Sequence, residues 1–182
     1  MEIKTPISNE VLKKLNAGDT VYLTGVIYTG RDAAHKKLVE LINDGKKIPF
    51  KIESNVIFYV GPSPAKPGAI IGSAGPTSSY RMDSFLEVVL PYFNVSIGKG
   101  PRSENVKKAL INKGVYLSAT GGAAALISES IKKSEVVAFP ELGPEAIHRF
   151  EVLKFPTIVT YDIHGGDLLT EGINKYKKIK CE

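Results

Sequence analysis

Cysteine is nearly absent, with Cys181 the single copy among 182 residues. That excludes an internal disulfide framework, and it excludes a multi-cysteine metal or cluster site built by this chain alone. A reducing compartment is compatible with it. Tryptophan is missing, and the eight Tyr and seven Phe show no clustering with basic residues of the kind RNA-binding modules carry. Histidine is scarce. His35, His148 and His164 lack metal-ligand spacing and read as non-ligands, with His35 placed on the exposed side of the first long helix. No apolar run approaches the length of a membrane span, and Met1 to Pro6 carries no signal-peptide core, so the expectation is a cytoplasmic protein without a membrane partner. Three sequence motifs are also missing: a phosphate loop of the G-x-x-x-x-G-K-[ST] type, a G-x-G-x-x-G after a strand, and a G-x-S-x-G nucleophile elbow.

What is present is ordinary for a globular chain: 43% hydrophobic, 24% charged, net charge +5. The basic residues are scattered as pairs such as Lys13-Lys14 and Lys107-Lys108, which reads as solvated surface and argues against a nucleic-acid partner. The expectation is one domain over residues 1–182.

Strand and helix patterns alternate. Val21 to Tyr28 is rich in β-branched and aromatic residues and predicts a strand; Ala34, Leu38, Leu41 and Ile42 then mark a helix that Gly45 stops. Further strands are predicted at Val56 to Val60, Val95 to Ile97, Val115 to Ala119 and Glu135 to Phe139. The tail offers two more, around Phe150 to Pro156 and Ile158 to Asp162, and a possible short one at Asp167 to Thr170. Helices are predicted at 8–16, after Ser103, and from Ala123 to Ile131; residues from Lys175 on read as a charged, frayed end. The result is a mixed α/β domain.

Three loops share one design: a strand, a glycine-flanked turn carrying a cation, a helix. They are Gly30-Arg31-Asp32, Gly75-Pro76-Thr77-Ser78-Ser79-Tyr80-Arg81 and Gly98-Lys99-Gly100. The middle one is led by the apolar run Ala69-Ile70-Ile71 and followed by Met82, Phe85, Leu86, Val89 and Leu90 at helical spacing. Helix N-termini favour anions, and such loops gather at the carboxyl ends of strands. Arg31, Arg81 and Lys99 then converge with Thr77. Two guanidiniums suit two carboxylates, and a lysine stabilises a nearby alkoxide, so a small di-acid or a phosphate is the expected ligand. The competing reading makes Ser78 or Ser79 a helix cap and leaves each cation in solvent.

At these loops the chain resembles the β subunit of the two-subunit class I, iron–sulfur-dependent fumarases, which is also the C-terminal domain of their single-chain forms. It is similar as well to the β subunit of tartrate dehydratase. The matching segments, in order, begin with Gly18-Asp19, Gly30-Arg31-Asp32-Ala33-Ala34-His35 and Tyr59-Val60-Gly61-Pro62. Gly75-Pro76-Thr77, Arg81-Met82-Asp83, Gly98-Lys99-Gly100 and Ala119-Thr120-Gly121-Gly122-Ala123 follow, then Glu145-Ala146, Phe150-Glu151-Val152 and Phe155-Pro156. The resemblance implies a swivelling β/β/α fold with mixed sheets and flanking helices. It implies reversible hydration of fumarate to L-malate, and a four-iron four-sulfur cluster held by the cysteines of an α subunit, with one iron acting as Lewis acid. It implies an α2β2 assembly with the active site at the α–β interface. By the same carry-over Thr77 is the catalytic base, Lys99 a second catalytic contact at the substrate hydroxyl, and Arg31 and Arg81 bind the dicarboxylate. Ser78-Ser79-Tyr80 stands where the family often has smaller residues, and His148 where an aromatic is more usual. The alternatives are a tartrate dehydratase β subunit and a stand-alone phosphate- or nucleotide-binding module.

Overall fold

A computed structural model describes residues 1–65, 67–119 and 124–177. The strands are β1 (Glu2–Lys4), β2 (Thr20–Thr29), β3 (Val56–Phe58), β4 (Val95–Gly98), β5 (Val115–Ser118), β6 (Ile131–Ala138) and β7 (Ile147–Tyr161). The helices are α1 (Asn9–Leu12), α2 (Asp32–Asn43), α3 (Leu86–Val89), α4 (Glu104–Leu110), α5 (Ala124–Ser130) and α6 (Leu168–Tyr176), with 3-10 helices at Ser79–Phe85 and Pro140–Glu145. All seven strands form one sheet in the order β1-β2-β3-β4-β5-β7-β6. A second pairing, β2 with β7, closes five of them into a barrel-like ring. Strands β2 to β5 run parallel, and β7 returns antiparallel to its partners. This is the expected mixed α/β class, with flanking helices.

Alternation along the strands explains the ring. Val21, Leu23, Ile27, Val56, Phe58, Val95, Ile97, Val115, Leu117, Phe150, Phe155 and Val159 fall in one fully buried cluster, the inner faces of all five strands. Phe58 meets Phe155 edge to face across it, ring centroids 5.2 Å apart. The outward residues Tyr28, Ile57 and Tyr59 pack under Ala34 and Leu38 of α2 and under Met82 and Val89.

Strand β7 is continuous where the sequence suggests two segments broken at Pro156. It pairs with β6 through Val152 and with β5 from Ile158 on, so Pro156 sits where β7 changes neighbours on that side. Its other side faces Tyr22 of β2. A residue without an N–H fits at such a gap. Three other expectations about elements are corrected. Ala69-Ile70-Ile71 forms no strand; it runs as irregular chain with Ile70 exposed, ahead of a backbone pairing between Ser63 and Gly72-Ser73. The helix after Thr77 begins as seven 3-10 residues and turns α-helical only at Leu86. Asp167 to Thr170 is not a strand: Asp167 caps α6, accepting the Thr170 N–H at 3.0 Å. Residues 178–182, with Cys181, and the segment 120–123 lie outside the described residues. Among the described residues no helix is long and apolar enough to cross a membrane.

His35, expected on the exposed face of α2, is fully buried. Its ring lies edge-on to Tyr59 at 5.3 Å and stacked on Phe85 at 5.9 Å. The Arg31 carbonyl accepts from Nδ1 at 3.0 Å, which assigns the proton to that nitrogen. Burial holds the imidazole neutral down to a pKa of about 4; Arg102 acts in the same direction, while the Arg31 carbonyl and Asp32 oppose it. An unfolded histidine takes its proton near the ordinary value of about 6.5. Between these values the unfolded chain binds more protons, so stability falls as pH drops through that window. Urea melts at pH 7 and pH 4.5 are expected to differ by about 2 kcal/mol from this residue. His35→Gln removes that part of the slope.

Candidate active site

The carboxyl ends of β2, β3 and β4 deliver the candidate residues. Chain leaving β2 passes Gly30, whose N–H donates to the Phe58 carbonyl at 3.0 Å, and Arg31 becomes the N-cap of α2. Chain beyond β3 keeps its register, because Tyr59 N–H donates to the Ile97 carbonyl at 2.8 Å. The Thr77 loop then lies across both ends. Thr77 N–H donates to the Tyr59 carbonyl at 2.8 Å, and Ser79 N–H to the Lys99 carbonyl at 3.0 Å. Ser78 and Lys99 form a parallel bridge. Thus residues 31, 77, 81 and 99, from three separate loops, are gathered at one end of the ring.

The side chains of three of them interlock. Arg81 presents its Nε and Nη2 to the carboxylate of Asp32, at 3.0 and 2.6 Å, as a fork on a fork. Its remaining terminal nitrogen, Nη1, donates to Thr77 Oγ1 at 3.5 Å, a long hydrogen bond. Arg31 approaches the same carboxylate, Nε to Oδ2 3.8 Å, and pairs with Glu145 at 3.0 Å. Glu145 in turn accepts the Ala33 N–H at the start of α2, also at 3.0 Å. These side chains are a quarter to two-fifths exposed. Lys99 is exposed and makes no ion pair among the described residues. It is held to the group by its backbone, not by its amine.

Beneath the surface layer lies a network that sequence reasoning did not find. Ser79 does not cap its helix; its Oγ accepts the Lys99 N–H at 3.0 Å, and the Tyr116 hydroxyl lies 3.0 Å from that same oxygen and from the Gly100 carbonyl. Burial pushes the Tyr116 phenol up to about 12, against the opposing pull of Ser79. Arg102 is wholly buried and donates from Nε to Asp83 at 2.5 Å, while Asp83 also accepts the Ser103 N–H. The guanidinium lies over the rings of Tyr59 and Tyr116, 5.3 and 5.2 Å from their centroids. Burial works against its charge, but Tyr59 and Asp83 outweigh that and raise its pKa. The legible signal was Asp83 in Arg81-Met82-Asp83 and Arg102 just after Gly98-Lys99-Gly100, two opposite charges in two loops already singled out.

Two glycines are needed at the site by close approach. A Cβ on Gly98 would stand 1.8 Å from Ser79 Oγ, and one on Gly61 would stand 2.7 Å from Nη1 of Arg31. The middle loop departs from the expected design, since no strand leads into it and a 3-10 helix follows it. Among the described residues no group of His, Cys, Asp and Glu side chains could hold a metal ion.

A family model described as "Fumarase C-terminus" matches residues 1–172. The chain is 40% identical over 183 residues to a Methanocaldococcus jannaschii protein provisionally named L(+)-tartrate dehydratase subunit beta, covering 95% of this chain and 93% of that one. It is 43% identical over 157 residues to an Escherichia coli protein named fumarate hydratase class I, anaerobic, covering 84% of this chain and 29% of that longer one. With the Escherichia coli L(+)-tartrate dehydratase subunit beta it shares 34% identity over 178 residues, 93% of this chain and 86% of that subunit.

The buried pair makes a direct stability prediction. Asp83→Ala strands the Arg102 charge in the interior and is expected to cost about 3–5 kcal/mol, read as a lower urea midpoint. Gly61→Ala is expected to lower that midpoint less than Asp83→Ala does, since the new Cβ would press mainly on the Arg31 side chain, at Nη1 and Cδ, with the Pro144 carbonyl 3.2 Å away. Loss of dicarboxylate affinity in the assembled protein is its expected effect.

Proposed function

The chain belongs to the fumarase C-terminus family, and from that premise we propose that it is the β subunit of a hydro-lyase acting on a small dicarboxylate. The reaction is the reversible hydration of fumarate to L-malate. The observation that carries the reading is the meeting of Arg81, Thr77 and Arg31 around Asp32, from loops 46 residues apart in sequence between Arg31 and Thr77. Two guanidiniums there match two carboxylates.

In the dehydration direction Thr77 Oγ1, as alkoxide, takes the proton from the carbon beside one carboxylate. The carbon–oxygen bond to the hydroxyl on the neighbouring carbon breaks, the double bond forms, and the hydroxide that departs makes up one water with the proton that Thr77 gives up as its alkoxide is restored; hydration runs the same steps backwards. The negative charge that grows on the carboxylate during proton removal is met by Arg31 and Arg81, fixed before the reaction begins. A threonine hydroxyl is a weak acid, and the Nη1 of Arg81 beside it favours its ionised form. Lys99 faces the substrate hydroxyl.

A partner α subunit holds the four-iron four-sulfur cluster, which supplies the Lewis acid. This chain has a single cysteine, too few for such a cluster, and the proposal places the cluster's cysteines on that partner. The complex is an α2β2 heterotetramer of the cytoplasm. Tartrate is the second reading of the substrate, favoured by the near end-to-end match to subunits named for tartrate dehydratase.

The chain alone is expected to show no turnover, and to gain it with its cluster-bearing partner under anaerobic conditions. Fumarate and tartrate assayed side by side on that complex assign the substrate by the larger kcat/KM. Thr77→Ala is expected to lower kcat by about 10²–10⁴-fold with KM little changed; Arg31→Ala should raise KM. Full turnover by Thr77→Ala removes the threonine from the mechanism.

A further inference from the structure

We infer that Asp32 is a positioning residue, the carboxylate that aims Arg81 at Thr77 and keeps Arg31 beside it. The inference rests on the functional reading above, which gives Arg81 and Thr77 their roles but none to Asp32.

The geometry is specific. A guanidinium carries five N–H donors in a rigid plane. Asp32 engages one edge of the Arg81 fork, through Nε at 3.0 Å and Nη2 at 2.6 Å. Gripped along that edge, the plane cannot swing about its long stem. The end that remains carries both Nη1 hydrogens and one on Nη2, and its Nη1 lies 3.5 Å from Thr77 Oγ1. That end still accepts a carboxylate bidentately. Asp32 therefore does not compete with substrate for the same edge. Its own carboxylate is placed by the first turn of α2, where the helix dipole favours a negative charge.

The same oxygen, Oδ2, also lies 3.8 Å from Nε of Arg31. Two guanidiniums that share one small di-acid repel each other, and a carboxylate between them offsets that repulsion before substrate arrives. The pair is a third or more exposed, too open to water to anchor the fold. Orientation is what it contributes.

Two readouts test this. In the full chain labelled with 15N, the Arg81 Nε–H signal is expected to be sharp and slow to exchange, and to broaden or vanish in Asp32→Ala. An unchanged signal overturns the inference. In the complex with the α partner, assayed on whichever dicarboxylate it turns over, Asp32→Ala is expected to lower kcat about 10–100-fold while KM moves less than about threefold. Asp32→Asn, which keeps the volume but offers only one acceptor, should match it, and Asp32→Glu should restore part of the loss. A residue that merely adds negative charge gives the opposite split, a lower KM at unchanged kcat, and that result sinks the proposal. Arg81→Ala and Thr77→Ala run alongside. If they leave turnover intact, the functional reading fails. If they abolish it while Asp32→Ala and Asp32→Asn do not, only the role of Asp32 fails.

Discussion

One buried ion pair sets the frame for the rest. Arg102 and Asp83 meet at 2.5 Å, with the arginine side chain wholly buried. A pair of this kind is a poor source of net stability, since desolvating two charges costs about what their attraction returns. What it fixes is geometry. Asp83 belongs to the 3-10 helix Ser79–Phe85, and Arg102 lies at the end of the loop that carries Lys99. Asp83 also accepts the Ser103 N–H that opens α4. The loop of Thr77 and Arg81 and the loop of Lys99 are therefore tied twice in the interior, once through Ser79 and Tyr116 and once through the ion pair. The 3-10 geometry of that helix is consistent with this. Its side chains answer to partners in the neighbouring loop as well as to the hydrophobic spacing that predicted an α-helix.

The outer layer obeys a different balance. Asp32, Glu145, Arg31 and Arg81 are partly exposed, and exposed pairs of this sort contribute about 0–1 kcal/mol each. Evaporating any one of them hardly threatens the fold. On the proposed reading, three cations of the site, Arg31, Arg81 and Lys99, stand against two carboxylates, Asp32 and Glu145, a surplus of one positive charge. That surplus is small in open water. Covering the site with a partner lowers the local dielectric and strengthens every one of these contacts. On that same reading, a half-site that binds weakly alone and firmly when covered is what these magnitudes favour.

Much of this was legible in local pattern. Val21 to Tyr28 and the stripe Ala34, Leu38 announced β2 and α2, and the outline Gly30-Arg31-Asp32 located the first cation. The four residues offered as site residues were gathered because each follows, in the chain or by backbone pairing, the end of a parallel strand. The failures share a cause, the absence of tertiary partners from a linear reading. Ala69-Ile70-Ile71 has strand propensity but joins no strand in the fold. His35 has helical spacing that allows either face, and only the rings of Tyr59 and Phe85 decide for the interior. Asp167 to Thr170 follows a Gly165-Gly166 turn and reads as a short extended piece, yet Asp167 finds the Thr170 N–H and starts a helix. Glu2–Lys4 is too short to carry a periodic signal and becomes a strand only because β2 lies parallel to it.

The same distinction separates the two kinds of residue in the site. A cation in a glycine-flanked loop can be picked out by type and spacing, because its chemistry is its own. The groups that aim it cannot. Asp32 resembles any acidic residue in a first helical turn, where the dipole alone would justify it, and only the fork of Arg81 closing on it at 2.6 and 3.0 Å gives it another task. Arg102 resembles a surface arginine before a helix, and only the rings of Tyr59 and Tyr116 on its guanidinium show that it is interior. Orientation is a relation between side chains distant in sequence. The residues that impose it become visible when the ring closes and β2, β3 and β4 bring their loops to one end.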